Sequence, residues 1–299
     1  MKRIPIVIDT DPGVDDFFCL ALGCVYDDVF DLRAVCSMGG NHYTDVTTQN
    51  ALDILALFNK ENIPVARGAD RYLTEEFDEP VVQFHGKNGL GNIILPKSNQ
   101  TPDSLAAWDK LYEEAVRAEG ELVLVTVAPV TNVAMALEKY PDLPKYLKKI
   151  VMMGGSIGKG NITPYAEANV GHDAEAAEKV FTCGVPVDMI GLNVTKICPI
   201  VPETFTKYGS KMNQNIRDIF EGLIRFRNGE AMHDAIAIAT LLDEGFMQWQ
   251  KGTVHVELID EIHKGQTVLH PDSNGIHRVA VEVDTERYNA VIGGMLERL

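Results

Sequence analysis

The sequence has no apolar run near the ~20 residues that a membrane-spanning helix requires. It also has no excess of basic residues, because 27 lysines and arginines stand against 43 aspartates and glutamates, for a formal net charge of -16. Binding to phosphate groups depends on clustered lysine and arginine. We therefore expect neither nucleic acid nor a membrane surface among the partners of this protein.

Cysteine is scarce, and no two cysteines form a CxxC pair. The five cysteines are Cys19, Cys24, Cys36, Cys183 and Cys198. Their number is odd and most lie in apolar stretches, which is typical of reduced, buried thiols. The apolar segment at residues 4–8 is too short for the core of a secretory signal. We expect a cytoplasmic protein.

The chain also lacks internal repeats, low-complexity tracts and linkers rich in proline and serine. Its 299 residues are enough for one large α/β domain with a sizeable core. We therefore expect a single domain over residues 1–299.

Short apolar runs alternate with segments of helical period through the first two-thirds of the chain. Strands are predicted at 4–8, 32–37, 64–66, 121–127, 149–153 and 186–190. Helices are predicted at 15–26, 45–58, 102–118, 130–139, 173–183, 212–226 and 233–243. Unbroken apolar strands indicate burial on both faces, so we predict an open, mostly parallel wound α/β sheet flanked by helices, similar to a Rossmann fold. A strand pair at 253–259 and 278–283 around a turn at Gly265, and a closing helix at 285–298, complete the prediction.

Four aspartates follow the first predicted strand within IDTDPGVDD at 8–16. Ligands bind beyond the carboxyl ends of the strands in such sheets, which makes this segment a candidate site. The start of a helix explains Asp15 and Asp16 through the helix dipole, but it does not explain Asp11. A hard cation such as Ca²⁺ binds carboxylates and offsets their repulsion. Because the EF-hand pattern is absent, other ligands must come from distant segments, and Asp234 is one candidate.

Six motifs, taken in order, resemble the inosine-uridine preferring nucleoside hydrolase family. They are DTDPGVDD at 9–16, GGNHY at 39–43, HGKNGLG at 85–91, PVTNVAMAL at 129–137, NITPYAEANVGHDAEAA at 161–177 and MHDA at 232–235. The resemblance runs from about residue 4 to residue 295. It implies an open α/β fold, one Ca²⁺ per subunit, assembly as a homodimer or homotetramer, and hydrolysis of the N-glycosidic bond of ribonucleosides to free base and ribose.

The resemblance also implies roles for individual residues. The implied Ca²⁺ ligands are Asp11, Asp16, Asp234 and the backbone carbonyl of Val127. The implied ribose-binding residues are Asp15, Asn41, Asn161, Glu167 and Asn169. Asp11 matches the general base that deprotonates a Ca²⁺-bound water, His233 matches a histidine that protonates the leaving base, and His85 matches a base-contacting histidine.

The chemistry of ribosyl transfer fits these residue types. Breaking the C–N bond produces an oxocarbenium-like sugar, which carboxylates and amides stabilise. A cation that binds two ribose hydroxyls orients the sugar and lowers the pKa of the attacking water, so that a carboxylate such as Asp11 suffices as base. A purine anion is a poor leaving group and benefits from protonation, for which histidine titrates in a suitable range.

Two other functions remain open from the residues. Asp9-Thr10-Asp11 also resembles the DxD motif of haloacid dehalogenase-like phosphatases, in which Asp9 would be a covalent nucleophile, Asp11 an acid/base and Mg²⁺ the cofactor. A non-catalytic nucleoside-binding protein of the same fold is the second alternative. Within the hydrolase interpretation, the residues leave the preference for purine, pyrimidine or another ribosyl compound open.

Overall fold

The computed structural model describes residues 2–77, 79–200 and 202–299. Over these ranges the strands form one sheet of nine, which are β1 (Ile4–Thr10), β2 (Phe30–Ser37), β3 (Val65–Arg67), β4 (Leu122–Thr126), β5 (Leu147–Met153), β6 (Val187–Ile190), β7 (Met247–Val256), β8 (Thr267–Pro271) and β9 (His277–Val283). The sheet order is β3-β2-β1-β4-β5-β6-β9-β7-β8. Neighbouring strands are parallel from β3 through to β9, whereas β7 is antiparallel to both β9 and β8. The predicted open, mostly parallel wound sheet is confirmed.

Helices connect and cover these strands. They are α1 (Val14–Val25), α2 (Thr44–Leu57), α3 (Val82–His85), α4 (Ala107–Arg117), α5 (Thr131–Lys139), α6 (Ala168–Gly171), α7 (Ala174–Thr182), α8 (Leu192–Thr195), α9 (Pro202–Tyr208), α10 (Gln214–Arg227), α11 (Ala235–Ala239) and α12 (Thr285–Arg298). Short 3₁₀ turns lie at Leu143–Tyr146, Gly209–Lys211 and Glu244–Phe246. In the described part of the chain, no helix combines the length and apolarity needed to cross a membrane.

The strand β1 is buried on both faces, as its unbroken apolar sequence predicts. Ile6 and Ile8 belong to one hydrophobic cluster, which includes Phe17 of α1. Val7 points to the other face and joins a second cluster with Leu124 of β4. The alternation of side chains along a strand therefore anchors β1 between two apolar layers.

The direction of winding reverses between β1 and β4. The chain moves outward from β1 to β2 and β3, then returns to place β4 against the other edge of β1. Asp9 is paired with Thr126 in this register, so the residues that follow both strands emerge side by side. Such a switch point leaves a crevice at the carboxyl ends of the strands, where ligands bind in this class of sheet.

The C-terminal part of the sheet differs from the prediction. The turn at Gly265 joins β7 to β8, a strand that was not predicted, whereas the predicted strand pair at 253–259 and 278–283 corresponds to β7 and β9. The sequence of β8 is short, half exposed and ends in His270-Pro271, so it lacks the unbroken apolar pattern of the central strands. β7 and β9 are nevertheless neighbours, and the closing helix α12 is confirmed.

Two predicted helices are longer than the observed ones. The helix predicted at 102–118 begins at Ala107, because the Asp103 carboxylate accepts a hydrogen bond from the Leu105 N–H (2.9 Å) and holds that segment in a turn. The helix predicted at 233–243 is α-helical only over α11. After Ala239 the backbone continues in tighter hydrogen-bonded turns, in which the Leu241 N–H donates to Ile238 and the Leu242 N–H to Ala239.

Candidate active site

A cavity of about 550 Å³ opens at the carboxyl ends of the central strands. This volume lies within the range that small-molecule sites occupy. The predicted site residues in its wall are Asp11, Asp15, Asn41, His85, Val127, Asn161, Glu167, Asn169, His233 and Asp234. Asp16 is fully buried beside them. Residues separated by more than two hundred positions in the sequence are therefore brought to one cavity.

The turn between β1 and α1 fixes the Asp16 carboxylate. Asp16 is the third residue of α1 and accepts a hydrogen bond from the N-cap Gly13 N–H at 2.9 Å. Its other contacts are with the Thr10 hydroxyl, the Asp11 N–H and the Asn41 side-chain amide. These donors hold both carboxylate oxygens in place at a helix N-terminus, where negative charge is favoured.

Asp11 is held on one oxygen and free on the other. Asp11 Oδ2 accepts the Asn41 backbone N–H at 2.7 Å. Gly40 permits this approach, because a Cβ at that position would lie 1.9 Å from Asp11 Oδ2. Asp11 Oδ1 is buried and has no hydrogen-bond partner among the described residues. Burial, followed by the charge of Asp16, raises the pKa of Asp11 well above its ordinary value.

Carboxylates of three residues form a group that fits a cation. One oxygen each from Asp15, Asp16 and Asp234 lies within 4.8 Å of the others. Burial and the neighbouring carboxylates raise the pKa of Asp234 well above its ordinary value, and burial and the Asp15 charge raise that of Asp16 to about 6. Asp15 Oδ1 is buried without a partner in the described chain. Such repulsion and unsatisfied oxygens are what a hard cation removes, so the donor set fits one.

The membership of this group differs from the ligand set implied by the resemblance. Asp15, which was matched to ribose, supplies one of the three closely spaced oxygens. Asp11 adjoins the group through its N–H, which donates to Asp16 Oδ1 at 3.2 Å. Both carboxylates of the first turn of α1 approach Asp234 because α1 packs against α11.

Asn169 links the ends of β4 and β5 at the cavity wall. Its Nδ2 donates to the Val127 carbonyl at 3.2 Å and to the Met153 carbonyl at 3.1 Å. A carbonyl oxygen has two lone pairs, so the Val127 oxygen retains one for another ligand. Asn161 Oδ1 accepts the Ala168 N–H at 2.9 Å and thereby anchors the loop before α6.

Glu167 is the N-cap of the short helix α6. Its carboxylate accepts backbone N–H groups of Gly155 (2.7 Å), Asn169 (3.0 Å) and Val170 (3.1 Å). Burial raises the pKa of Glu167 to about 7, although these hydrogen bonds oppose the shift. The residue therefore holds its loop rigidly while presenting an edge to the cavity.

Two histidines line another part of the wall. His85 Nδ1 accepts the Val14 N–H at 3.2 Å and lies 3.8 Å from Asp15 Oδ1. His233 Nδ1 lies 2.7 Å from the Thr195 hydroxyl. Burial lowers the pKa of each ring to about 4, although the Asp15 charge opposes the shift. Both imidazoles are consequently neutral at neutral pH and each offers Nε2 to a ligand.

Comparison with known proteins agrees with this geometry. Residues 6–290 match the family model of the inosine-uridine preferring nucleoside hydrolases. The chain belongs to this family. Among its relatives, the pyrimidine-specific ribonucleoside hydrolase RihA of Shewanella woodyi is 34% identical, over 89% of this chain and 88% of its own length. The non-specific ribonucleoside hydrolase RihC of Escherichia coli O139:H28 is 31% identical over 98% of both chains.

Solved structures of nucleoside hydrolases superimpose on the whole chain. The purine-preferring ribonucleoside hydrolase of Gardnerella vaginalis gives a TM-score of 0.91 with 26% identity, over 99% of this chain and 100% of its own. A plant nucleoside hydrolase, PpNRh1, gives a TM-score of 0.90 with 30% identity over 99% of both. The protein is thus a nucleoside hydrolase in sequence and in fold.

The position of Asp9 in this nucleoside hydrolase argues against a phosphatase. Asp9 is fully buried below the cavity wall. Its carboxylate accepts the Asn132 side-chain amide at 2.8 Å and the Thr126 hydroxyl at 3.3 Å. Burial raises its pKa to about 7. A fully buried and hydrogen-bonded carboxylate is poorly placed to attack a phosphoryl group, which argues against the phosphatase alternative.

Several residues of the cavity were not predicted from the sequence. Arg227 at the end of α10 lines the wall and is almost completely buried. The Thr195 hydroxyl contacts Nδ1 of His233 and orients its ring. Phe84 and Lys196 also contribute to the wall. The one sign of Arg227 in the sequence is its position in the segment 225–230, six residues before His233, because the other contacts join distant elements.

Proposed function

We propose that this nucleoside hydrolase cleaves ribonucleosides to free base and ribose, with Asp11 as general base for the attacking water and His233 as the acid for the leaving base. The observation that supports this most strongly is the free oxygen of Asp11, buried at the cavity wall beside the carboxylate group of Asp15, Asp16 and Asp234.

Asp11 has the geometry of a general base. Its Oδ2 is oriented by the Asn41 N–H. Oδ1 is then left to accept a proton from water. The same carboxylate stabilises the positive charge that develops on the sugar as the C–N bond breaks.

We infer that Ca²⁺ is the cation of this site, held by Asp11, Asp16, Asp234 and the Val127 carbonyl, with Asp15 close by. Carboxylate and carbonyl oxygens are the ligands that Ca²⁺ prefers. When bound, such an ion orders ribose hydroxyls and lowers the pKa of a nearby water. The three carboxylates differ in their hydrogen bonding. Asp16 is fixed by four donors, whereas Asp11 and Asp15 each keep an oxygen without a hydrogen-bond partner among the described residues.

We propose that the polar residues around these carboxylates bind the ribose. Asp15 Oδ1 can accept a sugar hydroxyl, and the Asn41 side-chain amide, which donates to Asp16, enters the cavity wall from the turn after β2. Asn161, Glu167 and Asn169 come from the loop and helix that follow β5. Because each of these side chains is tied to backbone groups, the ribose would be held in one orientation.

His233 and His85 are placed to serve the base. Nδ1 of each ring is occupied, so Nε2 is the nitrogen that remains for substrate. Negative charge builds up on the base as it departs and favours the imidazolium form of His233, which takes a proton from solvent, donates its Nε2 proton to the base and returns to neutral imidazole. We propose that His85 contacts the base as a hydrogen-bond donor. Relatives include pyrimidine-specific, non-specific and purine-preferring enzymes, so their names support a ribonucleoside and no single base.

The test is release of reducing sugar and free base from inosine, adenosine, guanosine, uridine and cytidine by the Ca²⁺-loaded protein, with phosphate release from phosphomonoesters measured alongside. We expect ribose from at least one nucleoside and no phosphate. Phosphate release without ribose would favour the phosphatase alternative, and nucleoside binding without turnover would favour a binding protein. A homodimer or homotetramer and a cytoplasmic location stay predictions, which light scattering and cell fractionation test.

A further inference from the structure

Arg227 brings a positive charge into the wall of the substrate cavity. It is the last residue of α10, after which Asn228 (φ 49°) and Gly229 (φ 85°) adopt left-handed conformations and turn the chain back. That turn places Glu230 and Ala231 in the same wall. The Arg227 side chain is only 6% exposed, although arginine is almost never fully buried without a paired charge.

Two backbone carbonyls hold the guanidinium in position. Nη1 donates to the Phe84 carbonyl at 3.3 Å, and Nη2 donates to the Ala231 carbonyl at 3.0 Å. Nε is buried and has no hydrogen-bond partner in the described part of the chain. Because a guanidinium carries five N–H donors, these contacts leave donors unused. The planar group is oriented by the protein before any ligand binds.

The direct ion pair of Arg227 is weak. Its ion pair is with Glu230 at 3.6 Å, and the Glu230 side chain is 54% exposed, so solvent screens it. Burial acts to raise the pKa of Asp15, but opposing interactions, of which the charge of Arg227 is the largest, leave it below its ordinary value. Arg227 also lowers the pKa of both histidines. It therefore lies within electrostatic reach of the two rings proposed to serve the base.

We propose that Arg227 is a specificity-determining residue that recognises an exocyclic oxygen on the departing base. This inference rests on the proposed function. A departing nucleobase gains negative charge, and a preorganised cation stabilises that charge most when solvent is excluded. Arginine pairs with the adjacent ring nitrogen and oxygen of a 6-oxopurine through two N–H donors. Nη1 and Nη2 each keep a second N–H beyond their contacts with Phe84 and Ala231, and because Arg227 lines the cavity these are the donors available to such an edge.

The charge and the donors together define the substrate class. Hypoxanthine, guanine and uracil carry a carbonyl oxygen where adenine and cytosine carry an amino group. An amino group facing Arg227 would set donor against donor and leave buried N–H groups unpaired. The oxo bases should thus gain rate from Arg227, whereas the amino bases should gain little.

The test compares Arg227→Gln with wild type on two matched pairs, inosine against adenosine and uridine against cytidine. We expect kcat/KM for inosine to fall about tenfold or more relative to adenosine, in line with one lost bidentate contact. The loss for uridine relative to cytidine should have the same direction and be smaller, because uracil offers its oxygen O4 but no adjacent acceptor nitrogen. The control is Arg225→Gln on the same helix, because Arg225 is exposed and donates to the Glu221 carbonyl outside the cavity. It should leave the ratios unchanged.

A second variant and a binding measurement distinguish the remaining outcomes. If Arg227→Gln unfolds, Arg227→Lys keeps the charge without the planar fork and should show a smaller loss in the same direction. Equal losses on oxo and amino nucleosides would overturn the proposal while leaving the hydrolase function intact. If wild type cleaves no nucleoside, the proposed function fails, and calorimetry with free hypoxanthine and free adenine decides the matter: Arg227→Gln should weaken hypoxanthine binding about tenfold and spare adenine, and equal effects would overturn it.

Discussion

The Thr195 hydroxyl lies 2.7 Å from Nδ1 of His233 and holds the ring from the side away from the cavity. Thr195 is fully buried at the end of α8, directly after the strand β6. His233 lies 38 residues further along the sequence, directly before Asp234, the N-cap of α11. Two elements distant in sequence thus set the orientation of the proposed acid.

Replacement of His233 by alanine should slow nucleosides with poor leaving groups far more than activated substrates. We expect kcat for inosine to fall roughly 100-fold or more, because protonation of a leaving group typically contributes a factor of this size. p-Nitrophenyl riboside, whose leaving group needs no proton, should be cleaved at nearly the wild-type rate. Equal losses on both substrates would remove His233 as the acid.

Thr195→Val should reproduce part of this effect by releasing the ring. We expect a loss of about tenfold in kcat for inosine with KM little changed, since an uncontrolled ring orientation affects the transition state more than binding. Thr195→Ser retains the hydroxyl and is the matched control. Recovery of activity in the serine variant is expected, and a serine variant as slow as the valine variant would show that the hydroxyl by itself does not set the activity.

Ca²⁺ should stabilise the protein more at pH 8 than at pH 5. The carboxylates of Asp15, Asp16 and Asp234 repel one another, and the pKa of Asp16 is raised to about 6. Protons therefore compete with the cation for these oxygens as the pH falls below that value. Thermal unfolding with Ca²⁺ and with a chelator measures the difference. Asp234→Asn should abolish the shift in melting temperature, whereas the exposed Asp45→Asn should preserve it. A shift independent of pH would contradict this account.

Asp9→Asn should change the pH dependence of stability while sparing hydrolysis. Burial raises the pKa of Asp9 from 3.8 to about 7. The folded protein therefore keeps a proton that the unfolded chain loses between these pH values, so stability falls as the pH rises through this window, by about 1.4 kcal/mol per pH unit. The difference in unfolding free energy between wild type and variant at pH 5 and pH 8 measures this. If the unfolding free energies of wild type and variant change equally with pH, the burial argument is contradicted. If the variant loses its turnover of nucleosides, Asp9 takes part in catalysis.

Much of the fold followed from local sequence. The unbroken apolar runs of β1 and β4 predicted a sheet buried on both faces, because each strand faces an apolar cluster on either side. The edge strand β8 could not be found in this way, since its side chains are half exposed. Periodicity reports how a segment is buried, and β8 is scarcely buried, unlike β3 at the opposite edge of the sheet.

The candidate site was predictable to the extent that its residues follow strands. Asp11 after β1, Asn41 after β2 and Val127 after β4 reach one cavity because parallel strands end at the same edge. Arg227 and Thr195 could not be placed, because they enter through turns and helices whose approach depends on tertiary packing. A single sequence carries no periodic trace of such contacts.

The most direct test of the central claim compares ribose release by wild type and Asp11→Asn, both loaded with Ca²⁺. Asparagine keeps the size of the side chain and an oxygen for the Asn41 N–H, but it cannot take a proton from water. We expect kcat on the best nucleoside to fall roughly 1,000-fold, with Ca²⁺ still raising the melting temperature. Turnover within about tenfold of wild type, with Ca²⁺ bound, would contradict Asp11 as the general base.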